Sequence, residues 1–126
     1  MLSLPASVRI YAATAPCDMR KQIDGLAALV ERELGRNARS GDLFVAFNRR
    51  GDMARILFWD ISGFCLVTKR LELGVFDLPW KRGEVMTELE LDAEQLGRIL
   101  EGVVTSPSRR RARRAAFEKT HDTMVT

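Results

Sequence analysis

Five arginines in six residues, Arg109, Arg110, Arg111, Arg113 and Arg114, make the densest charge in the chain. Guanidinium groups this close together neutralise phosphates with little sequence preference and a steep dependence on salt. The competing reading of such a run is a solvated tail with no defined partner. A second set of cations falls where turns are expected, with Arg49 and Arg50 before Gly51, and Lys69 and Arg70 ahead of Leu71. Antiparallel pairing of the strands between them would bring these four to one end of a sheet and set Arg55 directly opposite Lys69. Like charges in that position cost free energy unless an anion lies nearby. A phosphate would serve, and so would Asp52 and Asp77, so the set reads either as a phosphate-binding rim or as internal salt bridges of little stabilising value.

Other chemistry is poorly supplied. Asp42, Asp52 and Asp60 suggest a carboxylate set for a metal, but Asp52 and Asp60 suit turn positions. They also bracket a strand that would hold them over ~20 Å apart. Cys17 and Cys65 stand alone without CxxC spacing, and the single histidine, His121, lies among polar residues near the C-terminus. They suit a reducing cytosol and offer no metal site. No Ser-His-Asp, Cys-His, phosphate-loop or dinucleotide pattern is present. The expectation is a protein that is not an enzyme and takes no cofactor. Trp59 and Phe64 read as core rather than as a stacking platform for bases, whereas Trp80, after Pro79, reads as exposed.

The elements that must position the cations centre on residues 43 to 76, where Gly51, Gly63 and Gly74 break apolar runs at almost even intervals. Each glycine closes a tripeptide, and the first two tripeptides follow Asn48 and Asp60. This is the pattern of three-residue hairpin loops with glycine in the left-handed position, and it predicts a four-strand antiparallel meander. In that register Asn48 pairs with Asp52, Asp60 with Phe64, and Leu71 with Val75. Leu43, Val45, Phe47, Met53, Arg55, Leu57, Trp59, Cys65, Val67, Lys69 and Leu71 then share one face. Phe44, Ala46, Ala54, Ile56, Phe58, Phe64 and Leu66 share the other. Both faces are mostly apolar, so each requires a helix, a second sheet or another subunit as cover.

Ahead of the meander, residues 8 to 14 read as a strand ended by Pro16. A helix follows, capped by Asp18 and ended by Gly35, with Met19, Ile23, Leu26, Val30 and Leu34 in one apolar stripe. After it, Val85, Thr87, Leu89 and Leu91 alternate with polar or flexible residues as in a half-buried strand. Asp92 and Gln95 then have capping-box spacing ahead of Leu96, Ile99 and Leu100, with Gly102 beyond, which predicts a short second helix.

At 126 residues the chain is long enough for one domain with a core that needs no disulfides. The net charge of +3 is unevenly placed: residues 105 to 126 carry six basic and two acidic side chains, and the remaining 104 sum to −1. The division expected is one α+β domain over 1–104 and a basic, disordered tail over 105–126. No apolar run approaches the roughly 20 residues of a bilayer span, and the first residues lack the form of a signal peptide. The expectation is a cytoplasmic protein that does not meet a membrane.

Taken in order, the N-terminal strand, PCDMRK with IDGLAALV behind it, and the NRRGD, ILFWD, GFCL and KRLELG segments resemble the TnpB, or Orf2-like, accessory proteins of bacterial insertion sequences of the sixty-six type. The resemblance covers roughly residues 4 to 80 and departs from the usual pattern at Thr68 and at Asp77-Leu78-Pro79. It implies a non-catalytic protein encoded beside a larger transposase and needed for efficient movement of the element. The combined expectation is an antiparallel sheet with one long helix on a face and a short C-terminal helix. Its partners would be transposase subunits, DNA or both, through Arg49, Arg50, Arg55, Lys69, Arg70 and the five tail arginines. The alternative is a structural adaptor that forms a homo-oligomer or docks on the transposase through its second apolar face, without touching DNA.

Overall fold

A computed structural model describes residues 7–78, 80 and 87–103. Five strands and two helices follow one another as β1 (Ile10–Ala13), α1 (Ile23–Arg32), β2 (Leu43–Phe47), β3 (Met53–Asp60), β4 (Gly63–Arg70), β5 (Glu88–Leu91) and α2 (Ala93–Glu101). The strands form one sheet in the order β4-β3-β2-β1-β5. The fold is α+β as expected, but the sheet is mixed. β1 runs parallel to β2, with Ile10 beside Leu43, and antiparallel to β5, with Ile10 beside Leu91. Parallel neighbours need a crossover, and α1 supplies it.

The helix crosses one face of the sheet. Leu26 and Val30 on α1 pack with Tyr11, Phe44, Ala46 and Leu57, and Cys17 and Ala38 complete that layer. Met19, Ile23 and Leu34 lie against it, so the stripe read from the sequence is present, although the helix itself is shorter. Asp18 does not cap it. Its carboxylate closes a turn by accepting from the Arg20 backbone N–H at 2.9 Å, and α1 begins at Ile23 behind Gln22, which makes no side-chain cap. At the other end Gly35, at φ +64°, turns the chain so that Arg36 N–H reaches the Val30 carbonyl.

The opposite face carries Ile10, Ala12, Leu43, Val45, Phe47, Ala54 and Ile56 under α2, whose Leu96, Ile99 and Leu100 are buried. Burying each of those three stabilises the fold by about 1.5–3 kcal/mol. The expected capping box is formed: Asp92 Oδ1 accepts from Gln95 N–H at 2.7 Å, and Gln95 Oε1 accepts from Asp92 N–H at 2.9 Å. The second apolar face is therefore covered by the C-terminal helix. Trp80, expected to be exposed, is half-buried with its ring 5.6 Å from that of Phe47.

The meander has three strands, not four. Val75, placed in a fourth strand by the sequence, forms a lone bridge with Val103 instead, and Leu71 N–H bonds to the Asp52 carbonyl. Both hairpin registers also differ by one residue from expectation. Asn48 N–H bonds to the Met53 carbonyl across a four-residue loop, and Asp60 pairs with Gly63 across a two-residue loop. Gly51 takes the left-handed conformation as expected (φ +76°), but in the second loop Ile61 takes it (φ +52°) and Gly63 does not. The first shift turns β3 over relative to β2, and the second restores β4. Ala54, Ile56 and Phe58 thus share the α2 face with Val45 and Phe47, while Leu57 lies under α1. Of the later strand, Glu88–Leu91 is described and Val85 lies outside the described residues.

Candidate nucleic-acid interface

One end of the β3 and β4 strands gathers four cations. Arg49 and Arg50 lie on the exposed part of the β2–β3 loop, and Lys69 and Arg70 end β4 opposite Ala54 and Met53. The loop that carries the two arginines is well braced. Asn48 Oδ1 accepts from the N–H groups of Asp52 and Met53, both at 3.0 Å, and its amide donates to Asp52 Oδ1. Gly51 is buried beneath, where its carbonyl accepts from Phe76 N–H at 2.7 Å. Arg50 and Asp52 then form one wall of a groove of about 340 Å³ whose other wall is Leu71–Val75. A rigid turn with two arginines at its tip holds positive charge at a fixed place, which is what orientation of a phosphate backbone requires.

The expected partners of these cations are arranged differently. Lys69 does not face Arg55, which pairs with Thr68 and lies on the other face of the sheet. There the Arg55 guanidinium donates to the Lys21 carbonyl at 2.6 Å, tying β3 to the lead-in of α1, and its Nε is buried with no partner among the described residues. Nor does Asp77 lie across from Lys69, since among the described residues no strand runs beside β4 on that side. Arg70 approaches Glu72 at 3.7 Å with both side chains well exposed, an ion pair worth at most about 1 kcal/mol. Arg49 and Lys69 make no ion pair among the described residues. Arg109, Arg110, Arg111, Arg113 and Arg114 lie outside the described residues.

Two further arginines carry interactions that the sequence did not reveal. Arg36 lies over the ring of Tyr11, 3.7 Å from its centroid, and makes a two-pronged ion pair with Glu88 of the edge strand. The carboxylate holds this guanidinium above its ordinary pKa. Arg39 stands over both Trp59 and Phe64, at 5.5 and 5.6 Å, at the end of β3 away from the rim. These contacts join loops to strands from distant parts of the chain, and no local spacing announces them. Elsewhere, the Arg20 guanidinium and backbone N–H pull the Asp18 carboxyl down to about 2, and burial pushes the Cys17 thiol up. No group of three or more His, Cys, Asp or Glu side chains among the described residues would hold a metal ion. No helix among them is long and apolar enough to cross a membrane.

A mixed five-strand sheet between two short helices, with a braced cationic loop at one end, describes a small α+β domain. The chain belongs to the IS66 Orf2-like family, whose pattern matches residues 8–110 under the description "IS66 Orf2 like protein". The family associates it with transposition of insertion sequences of that type and is not generally known as catalytic. Two relatives come from Sinorhizobium fredii (strain NBRC 101917 / NGR234), both described as uncharacterized. Protein y4jC is 42% identical over 79 residues, 63% of this chain and 68% of the relative. Protein y4hO is 35% identical over 103 residues, 82% of this chain and 87% of the relative. No solved structure matches the chain.

Proposed function

We propose that this protein is a non-catalytic accessory factor for movement of its insertion sequence, which engages transposase, DNA or both, with the cationic rim as its ordered contact to phosphate. The observation that carries this reading is the placement of Arg49 and Lys69 at one end of the sheet, without ion pairs among the described residues, in a chain of a transposition-associated family. The tail arginines, Arg109 to Arg114, would add contacts of lower specificity.

The test is binding of the full-length protein to duplex DNA over a range of salt. Replacing Arg49, Arg50 and Lys69 together by Ala is expected to weaken binding and to flatten the plot of log K against log salt by about 2–3 units, if each cation meets one phosphate. Replacing the five tail arginines by Gln is expected to flatten it further without altering the fold. The adaptor reading is favoured by the outer edge of β4, which pairs with no strand among the described residues. It becomes the better account if the unaltered protein shows no DNA binding even at low salt.

A further inference from the structure

The two edges of the sheet are built differently. β5, at one edge, has four residues and carries Glu88 and Glu90, each held by an arginine, Arg36 and Arg9. A short charged edge resists strand addition. β4, at the other edge of the sheet among the described residues, has eight residues, GFCLVTKR, with no proline and no charge before Lys69. Because Asp60 and Gly63 close a two-residue hairpin, alternate residues of β4 turn their backbone groups towards β3. Phe64, Leu66, Thr68 and Arg70 point theirs outward. Val67, in the middle, is 45% exposed, and Phe64, Cys65 and Leu66 are only half-buried.

We propose that β4 pairs antiparallel with β4 of a second copy about a two-fold axis at Val67, joining the two sheets into one. Val67 then meets Val67 of the other copy, Leu66 meets Thr68, Cys65 meets Lys69 and Phe64 meets Arg70. Charge selects this arrangement. Lys69 and Arg70 crowd one end of the strand, and antiparallel self-pairing sends the two basic ends apart, each against an uncharged half. Parallel pairing in register would set Lys69 against Lys69, which is unfavourable. The two-fold relation makes the surface self-complementary, as a closed dimer requires. It also buries Val67, the most exposed large apolar residue of the strand. This surface is separate from the apolar face that α2 covers.

The experiment is sedimentation equilibrium on the full-length protein, with two variants. The unaltered chain is expected to sediment as a dimer. Thr68→Pro removes an outward N–H while sparing the ladder to β3, and is expected to weaken the dimer by about 100-fold with the circular dichroism unchanged. In a Cys65→Ser background, Val67→Cys is expected to form an intermolecular disulfide on mild oxidation. Facing residues at such a position have Cα atoms about 4.5 Å apart, within disulfide reach. The crosslink decides the matter if Thr68→Pro does not fold. A chain that stays monomeric at about 100 μM overturns the proposal, including the case in which β4 accepts only a strand from a transposase. So does a dimer that fails to crosslink through position 67.

Discussion

Thr14 and Thr87, which are 73 residues apart, share a hydroxyl-to-hydroxyl hydrogen bond of 2.9 Å where β1 and β5 come together. The Thr87 N–H also donates to Thr14 Oγ1 at 2.9 Å, and the Thr14 N–H donates to the Thr87 carbonyl at 3.1 Å. Thr14 is buried, so its hydroxyl replaces water for a backbone donor on the edge strand. Thr14→Val keeps the shape and deletes that acceptor. It is expected to lower stability by about 0.5–1.5 kcal/mol, read as a shift in the midpoint of urea unfolding, while Thr14→Ser retains most of it.

Ile61 is 92% exposed and has φ +52°. A β-branched side chain strains that conformation by about 1–2 kcal/mol, and there is no burial to compensate. Ile61→Gly is expected to raise the thermal midpoint. An unchanged or lower midpoint would show that the tip makes contacts of value.

The two glycines of the C-terminal helix region should respond in opposite directions to alanine. At Gly97 a methyl group enters open space within the helix, and Gly97→Ala is expected to stabilise by about 1 kcal/mol. At Gly102, with φ +76°, it would lie 2.7 Å from Leu71 Cδ1 and 3.2 Å from the Val75 carbonyl oxygen. Gly102→Ala is expected to destabilise by about 1–3 kcal/mol, from the left-handed backbone and the contact together. Equal midpoints for the two variants would contradict this packing.

Asp18 gives a pH dependence of defined sign. Its carboxyl falls from an ordinary 3.8 to about 2 in the fold because Arg20 hydrogen-bonds the charged form. A depressed folded pKa adds stability above the unfolded value, and that stability drains away as pH falls from about 4 towards 2. Asp18→Asn should therefore be less stable than the unaltered chain at pH 7, and the gap should narrow steeply as pH falls from about 4 to 2. A gap that stays constant over that range would point to lost packing rather than lost charge.

The parts of this fold governed by local rules were readable in advance. The Asp92–Gln95 box starts α2, the stripe from Ile23 to Leu34 covers a face, and Gly51 takes the left-handed turn. What escaped was set by alternatives nearly equal in local chemistry. Asn48 suits a three-residue loop and a four-residue loop alike, and no turn preference would choose Ile61 over Gly63 for positive φ. Two opposite slips leave β4 on its expected side and turn only β3, so Arg55, which even hairpin spacing places opposite Lys69, serves α1 instead. Arg49, Arg50, Lys69 and Arg70 fall at one end of the sheet in either register, because that depends on which end of each strand they occupy and not on its face. The pairing of β1 with both β2 and β5 had no local signal, since its partners lie far along the chain.

That position of β1 between β2 and β5 has a consequence for vectorial synthesis. The ribosome delivers Ile10–Ala13 before either neighbouring strand exists, and the second neighbour comes only with Glu88–Leu91. Contacts that span so much chain form slowly. A nascent chain halted before Glu88 could build the β2–β4 ribbon and bring β1 to its side, but would leave β1 as an apolar open edge. Such an edge invites pairing with other chains, so premature termination in this gene should yield an aggregation-prone product rather than a smaller working protein.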